Sequence, residues 1–145
     1  MPSQTHYKKL ENLRSISPYH KNLDTTIEIG EGTATVRLKI TPDLLHGAGI
    51  AHGAVLFMVM DDATAFAASS LVEDTFLVTV SFNIYFTRPV SDGEMIATAN
   101  VVHQSKRLLI ADVDVVNEDG KQLGRGSGTF MPSNIPLSAA VGYTL

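Results

Sequence analysis

The chain has 145 residues, 44% of them hydrophobic and 18% charged, with a formal net charge of −4. That length builds one core and leaves too little for two, and the hydrophobic fraction excludes a disordered chain. The absence of cysteine excludes disulfides, thiolate metal sites and thiol nucleophiles, and 11 Lys and Arg against 15 Asp and Glu argue against a broad nucleic-acid surface.

In chain order, residues 5–15 predict a short amphipathic helix with Tyr7, Leu10 and Leu13 on one face and the charges around them; Pro18 closes it. Residues 25–30 and 33–40 flank Glu31-Gly32 and predict a hairpin. Ala34, Val36, Leu38 and Ile40 alternate inward against Thr35, Arg37 and Lys39. Thr41-Pro42-Asp43 is a turn, and Leu44 to Ala51 an irregular, glycine-bearing loop. From about His52 to Leu71 the pattern is one long helix. Its first half, Ala54 to Met60, is apolar all round, so it is buried on nearly every side; the stretch after Asp61-Asp62 is rich in Ala and Ser, which permit close approach.

The second half predicts four strands, 76–87, 93–103, 108–117 and 122–131, separated by turns at Ser91-Asp92-Gly93, Gln104 to Arg107 and Glu118 to Lys121. Residues 132–145 carry no clear pattern. The sum is an α+β chain in which helix and sheet are segregated. A helix apolar all round needs either a sheet curled about it or a second subunit over what remains. No segment resembles a membrane span or a leader: the apolar stretch Leu44 to Met60 contains two histidines and three glycines and runs into two aspartates. A soluble cytoplasmic protein is expected.

Two features could carry chemistry. Asp61 and Asp62 interrupt an apolar helix, where an unpaired buried charge costs several kcal/mol in rough terms. As plain structure, one of them caps a loop or pairs with a cation while the other reaches solvent; as chemistry, one is a general base or nucleophile tuned by burial. The other feature is the glycine-rich entry His46-Gly-Ala-Gly-Ile-Ala-His52-Gly53-Ala54, whose free N–H groups and positive dipole end suit an oxyanion, or which simply turns the chain into the helix. Gly53 and Asp61 are eight residues apart, roughly 12 Å along a helix axis. An oxyanion donor and a base serving one carbonyl must each lie within about 3 Å of it. One helix therefore cannot supply both, whereas two antiparallel helices from two chains can, making a real site at least dimeric.

The run His52-Gly-Ala-Val-Leu-Phe-Met-Val-Met-Asp61 resembles the signature of hotdog-fold acyl-CoA thioesterases of the phenylacetate-pathway (PaaI-type) branch, His-Gly-Gly, six residues, then Asp or Glu. The segments Thr79 to Pro89 and Asn117 to Lys121 fit as well, so the resemblance spans about residues 25–131. It implies a hotdog fold, an antiparallel curved sheet wrapped around one central helix. The single domain would be 1–145, with an N-terminal helical extension over about 1–22 and a C-terminal tail over about 132–145.

The resemblance further implies thioester hydrolysis with Asp61 as catalytic carboxylate and the Gly53 amide as oxyanion donor. His46 stands where the family usually has Asn or Gln, Ala54 replaces the second Gly, Thr79 falls near the attacking water, and His52 organises the loop. Coenzyme A contacts are expected from the turn Gln104, Ser105, Lys106 and Arg107, with Ser81 and Asn83 nearby on the preceding strand and Arg88 a weaker candidate. Phe57, Met58 and Met60 would line the acyl pocket. The expected substrate is an aryl- or medium-chain acyl-CoA, with no further cofactor and no metal, since His6, His20 and His103 lack ligand spacing. No nucleic-acid or membrane partner is expected, and the assembly would be a homodimer at minimum, in the family's manner a homotetramer. The competing readings are a non-catalytic acyl-CoA sensor on the same fold and a hydroxyacyl-thioester dehydratase using His46.

Overall fold

The computed structural model describes residues 3–145; the first two residues of the expected N-terminal extension lie outside the described residues. Helix α1 runs Gln4–Ser15, and the Ser3 hydroxyl caps it by accepting the His6 N–H at 3.3 Å. Tyr7, Leu10 and Leu13 are buried as their spacing predicts, but His6 and Arg14 are buried on the same face. A single 3-10 turn, Pro18–His20, follows.

Strands β1 (Thr25–Gly30) and β2 (Thr33–Lys39) form the expected hairpin, with Gly32 at φ 67° in the turn, where a side chain would be strained. Helix α2 is Gly53–Ser69. Strands β3 (Thr75–Phe86), β4 (Glu94–Gln104), β5 (Leu109–Val116) and β6 (Gln122–Pro136) complete one antiparallel sheet in the order β1-β2-β4-β5-β6-β3. The sheet curls about α2, which touches every strand. Val55, Val59, Met60, Ala63 and Ala67 of the helix pack on Val36, Leu38, Met95, Ala97, Val113, Val115 and Leu123 of the sheet. This is the hotdog arrangement.

Alternate glycines of β6 let the far end of the sheet close. A Cβ on Gly124 would stand 2.6 Å from Met60 Cε, and one on Gly128 would stand 2.7 Å from a Phe82 ring carbon. Those glycines are the room into which the methionine and the aromatic ring fit.

The stretch from Pro132, without a pattern in the sequence, continues β6 to Pro136 and ends in a 3-10 turn, Ala139–Val141. Pro132 and Pro136 are tolerated because β5 pairs β6 no further than Leu109 opposite Phe130, so beyond that point β6 has, among the described residues, a neighbour on one side only. Strand β3 lies at the sheet's edge, paired among the described residues with β6 alone, and its register shifts twice, between Thr75 and Leu77 and between Thr79 and Ser81.

Candidate active site

The two adjacent carboxylates of α2 lead different lives. Asp62 Oδ2 accepts from Arg14 Nε at 2.9 Å and lies 2.6 Å from His20 Nε2. Arg14, only 2% exposed, spends its remaining reach on the Thr25 hydroxyl at 2.8 Å. Asp62 is therefore neutralised, tying α1 and the 3-10 turn to the central helix.

Asp61 has no cation among the described residues. Its Oδ1 accepts a 2.7 Å hydrogen bond from the Thr79 hydroxyl, aimed there from β3 beside the register slip. Burial pushes its pKa up, the Thr79 hydrogen bond pulls it down by favouring the charged form, and the Asp62 charge adds to the rise. A half-buried carboxylate with a raised pKa and a single neutral donor is well suited to accept a proton.

The entry to α2 is equally specific. A closed loop, with His46 N–H bonded to Ile50 and Gly49 N–H to His46, sets the two histidine rings at a 6.4 Å centroid separation. Each ring's Nδ1 accepts a backbone N–H at 3.0 Å, Ala48 for His46 and Ala54 for His52, so each neutral ring carries its proton on the outward Nε2. The N–H groups of Ala54 and Val55 are both satisfied by His52, leaving that of Gly53 without an acceptor among the described residues. Gly53 thus opens the helix with a free donor, and His46 offers an N–H of the polarity that an Asn or Gln amide would give.

A cavity of about 630 Å³ opens beside Asp61 and Thr79. Met58 and Met60 are in the core against the sheet, and Phe57 lies one turn from Asp61, 40% exposed, edge-on to Phe82 and lining a separate pocket with Gly53 and Ala54. The cavity beside Asp61 is bounded by α1 (Leu10, Leu13), the C-terminal half of α2 (Ala65, Phe66) and the C-terminal turn (Ala140, Val141). The sequence did hold one signal of this. Arg14 and His6 fall on the apolar stripe of α1 with Leu10 and Leu13, and a cation on such a stripe needs a buried partner.

Of the remaining candidates, Gln104, Ser105, Lys106 and Arg107 form the exposed β4–β5 turn, closed by Ser105 bonding to Leu108. Ser81 and Asn83 are exposed on β3; β6 lies between them and β5, where that turn ends, and two strand spacings amount to roughly 10 Å. Arg88 is exposed just beyond β3. No helix among the described residues is long and apolar enough to cross a membrane.

The fold is that of a hotdog protein, and the Thioesterase superfamily model matches residues 48–123, more than half of the chain. The chain belongs to the thioesterase superfamily and is PaaI-like within it. Acyl-coenzyme A thioesterase PaaI of Escherichia coli K12 is 35% identical over 96 residues, covering 66% of this chain and 67% of that protein. Human acyl-coenzyme A thioesterase 13 is 26% identical over 107 residues, covering 72% of this chain and 76% of that one. Among solved structures, the Escherichia coli PaaI protein superposes with a TM-score of 0.85 at 26% identity over 95% of this chain and all of that one. A conserved protein from Pseudomonas aeruginosa gives 0.75 at 34% identity, covering 83% and 97%.

Proposed function

We propose that the protein hydrolyses aryl- or medium-chain acyl-CoA thioesters to the free acid and CoA, at sites shared between two subunits. The observation that carries this reading is the contrast on α2: Asp62 is engaged by Arg14 and His20, while Asp61 is left with one hydroxyl donor and a raised pKa at the mouth of a cavity.

The second subunit follows from spacing. Phe57 is midway between Gly53 and Asp61, so a two-fold axis crossing α2 at Phe57 sets Gly53 of each helix opposite Asp61 of the other. That face is what the fold leaves uncovered. Ala54 and Phe57 are exposed on α2, while Val78 and Val80 are exposed on β3, whose outer edge has no strand partner among the described residues. An apolar edge strand invites pairing with its own copy, and doing so would continue the sheet across the dimer.

In the assembled site, the Gly53 N–H of one subunit binds the thioester carbonyl oxygen, with His46 Nε2–H as a second donor near the same helix entry. Asp61 of the facing subunit takes a proton from a water molecule as its oxygen adds to the carbonyl carbon, with Thr79 orienting the carboxylate. The tetrahedral oxyanion collapses, the carbon–sulfur bond breaks, and the proton held by Asp61 passes to the departing thiolate. Direct attack by Asp61, giving an anhydride that water then opens, uses the same groups. Lys106 and Arg107 supply cations for the CoA phosphates.

The test is thiol release from a panel of acyl-CoA esters by the native chain and by Asp61→Asn. With no cysteine in the chain, a thiol reagent sees product alone. Turnover that collapses with Asp61→Asn supports the reading. Ester binding without turnover would favour a sensor, and turnover indifferent to Asp61→Asn would remove the carboxylate from its role.

A further inference from the structure

The cavity beside Asp61 is built largely from the two ends of the chain, outside the stretch that carries the thioesterase signature. Its floor is the C-terminal half of α2, from Asp61 past Ala65 and Phe66 to Ser69. Eight residues of helix make that floor about 12 Å long. Its roof is Leu13 of α1 and Ile16 just beyond it, and its far wall the C-terminal turn through Ala140 and Val141. The charged groups on its border are already engaged, Arg14 and His20 with Asp62 and Asp61 with Thr79, and the Ser17 hydroxyl bonds His20.

The roof is pinned by polar contacts, most of them partly buried. Nε2–H of the buried His6 donates to the Ser69 carbonyl at 2.8 Å, so its Nδ1 accepts from the Tyr143 hydroxyl at 2.7 Å; one imidazole thus ties α1, the end of α2 and the C-terminal segment together. Asn12 Nδ2 donates to the Thr144 carbonyl at 2.8 Å, and Arg14 locks the other end of α1 to Asp62 and Thr25. Removing either member of a buried, paired contact leaves an uncompensated polar group, so the roof holds its position.

Resting on the thioesterase reading, we propose that this cavity receives the acyl group and that its roof, made by the chain's two ends, sets the longest acyl chain accepted. The thioester carbon must sit at Asp61, with acyl and CoA arms leaving it in different directions. The CoA arm carries phosphates that could not be desolvated among Leu13, Ile16 and Phe66, whereas an apolar acyl arm gains by burial there. A volume of about 630 Å³ is in the range of small-ligand sites, and a fixed end wall turns length into a limit. The acyl group selected is compact and apolar, aryl or medium-chain.

The test compares kcat/KM for acetyl-, butyryl-, hexanoyl-, octanoyl-, dodecanoyl- and phenylacetyl-CoA in the full chain and in three variants. Ala140→Trp fills the cavity from an exposed rim position and spares the core; Leu13→Trp fills it from the roof; Leu13→Ala deepens it. The octanoyl-to-butyryl ratio is expected to fall roughly tenfold or more in both Trp variants, and Leu13→Ala to shift the optimum to longer chains. An unchanged ratio, with turnover still dependent on Asp61, overturns the acyl cavity and leaves the thioesterase reading standing. If no ester is turned over, calorimetric titration of the same esters into Asp61→Asn chains decides. Affinity rising about fourfold per methylene up to a limit that Ala140→Trp shortens supports the cavity, and affinity independent of chain length overturns it.

Discussion

Replacing Arg14 by Met tests whether the roof is held by charge. The substitution keeps most of the buried stem and removes the guanidinium. Asp62 is left facing the interior with His20 as its remaining partner, and the Thr25 hydroxyl loses its donor. Breaking a buried ion pair by removing one partner costs about 3–5 kcal/mol. The Asp62 side chain is 14% exposed and keeps His20 at 2.6 Å, so the lower end, about 3 kcal/mol, applies. For a chain of this length that is a fall in Tm of roughly 6–12 °C. The assay is thermal and urea unfolding followed by circular dichroism at fixed protomer concentration, since subunit association shifts apparent stability. Adding Asp62→Asn to Arg14→Met should recover at least about 1 kcal/mol, because the stranded charge is then gone. A loss below about 1 kcal/mol, as for an exposed pair, would refute the argument that this contact fixes α1.

Other perturbations act nearer the chemistry. Asp61→Asn should reduce kcat by about 10²–10⁴, the range for losing a general base. The same change should stabilise the fold at neutral pH by about 0.5–2 kcal/mol. Because the folded pKa of Asp61 is raised, its contribution to stability is fully present below the ordinary aspartate pKa and is lost as pH rises through the raised value. The Asn advantage should therefore vanish in acid; an advantage independent of pH in unfolding experiments would contradict this. Thr79→Val removes the hydrogen bond that favours the charged carboxylate, so the alkaline-going limb of the pH–rate profile should move to higher pH. Gly128→Ala should destabilise by about 1–3 kcal/mol in chemical denaturation, since its Cβ would meet Phe82 and Phe130 ring atoms at 2.7 and 2.9 Å.

Much of this was legible in the sequence because it is local. Alternation along Ala34, Val36 and Leu38 and along Ala111, Val113 and Val115 places the inward faces, and turns rich in Gly and Asp bound the strands close to their observed ends. The segregation of helix and sheet, and the eight-residue spacing on which the proposal of a shared site rests, are likewise arithmetic on the chain. What escaped is long-range. Arg14 and His20 meet Asp62 across 48 and 42 residues, and no local pattern encodes such a pairing. A helix apolar all round gives no hint of which side meets a cavity, and here Ala65 and Phe66 do while Met58 and Met60 face the core. Residues 132–145 carry no clear pattern, and it is the sheet order, leaving one side of β6 unpaired there among the described residues, that lets a strand run through Pro132 to Pro136.

The claim on which the rest depends is that each site joins Gly53 of one subunit to Asp61 of the other, and subunit mixing tests it most directly. Gly53→Pro removes the N–H at the first helical position, where proline is tolerated and where His52 already has the extended backbone that a following proline prefers. Gly53→Pro and Asp61→Asn chains should each be nearly inactive alone. Unfolded and refolded together in equal amounts, half of the dimers pair one of each, and each such dimer holds one intact site, so about a quarter of the native turnover should return. If the mixture exchanges subunits and stays as inactive as its components, Gly53 and Asp61 do not meet across subunits and the shared site is wrong.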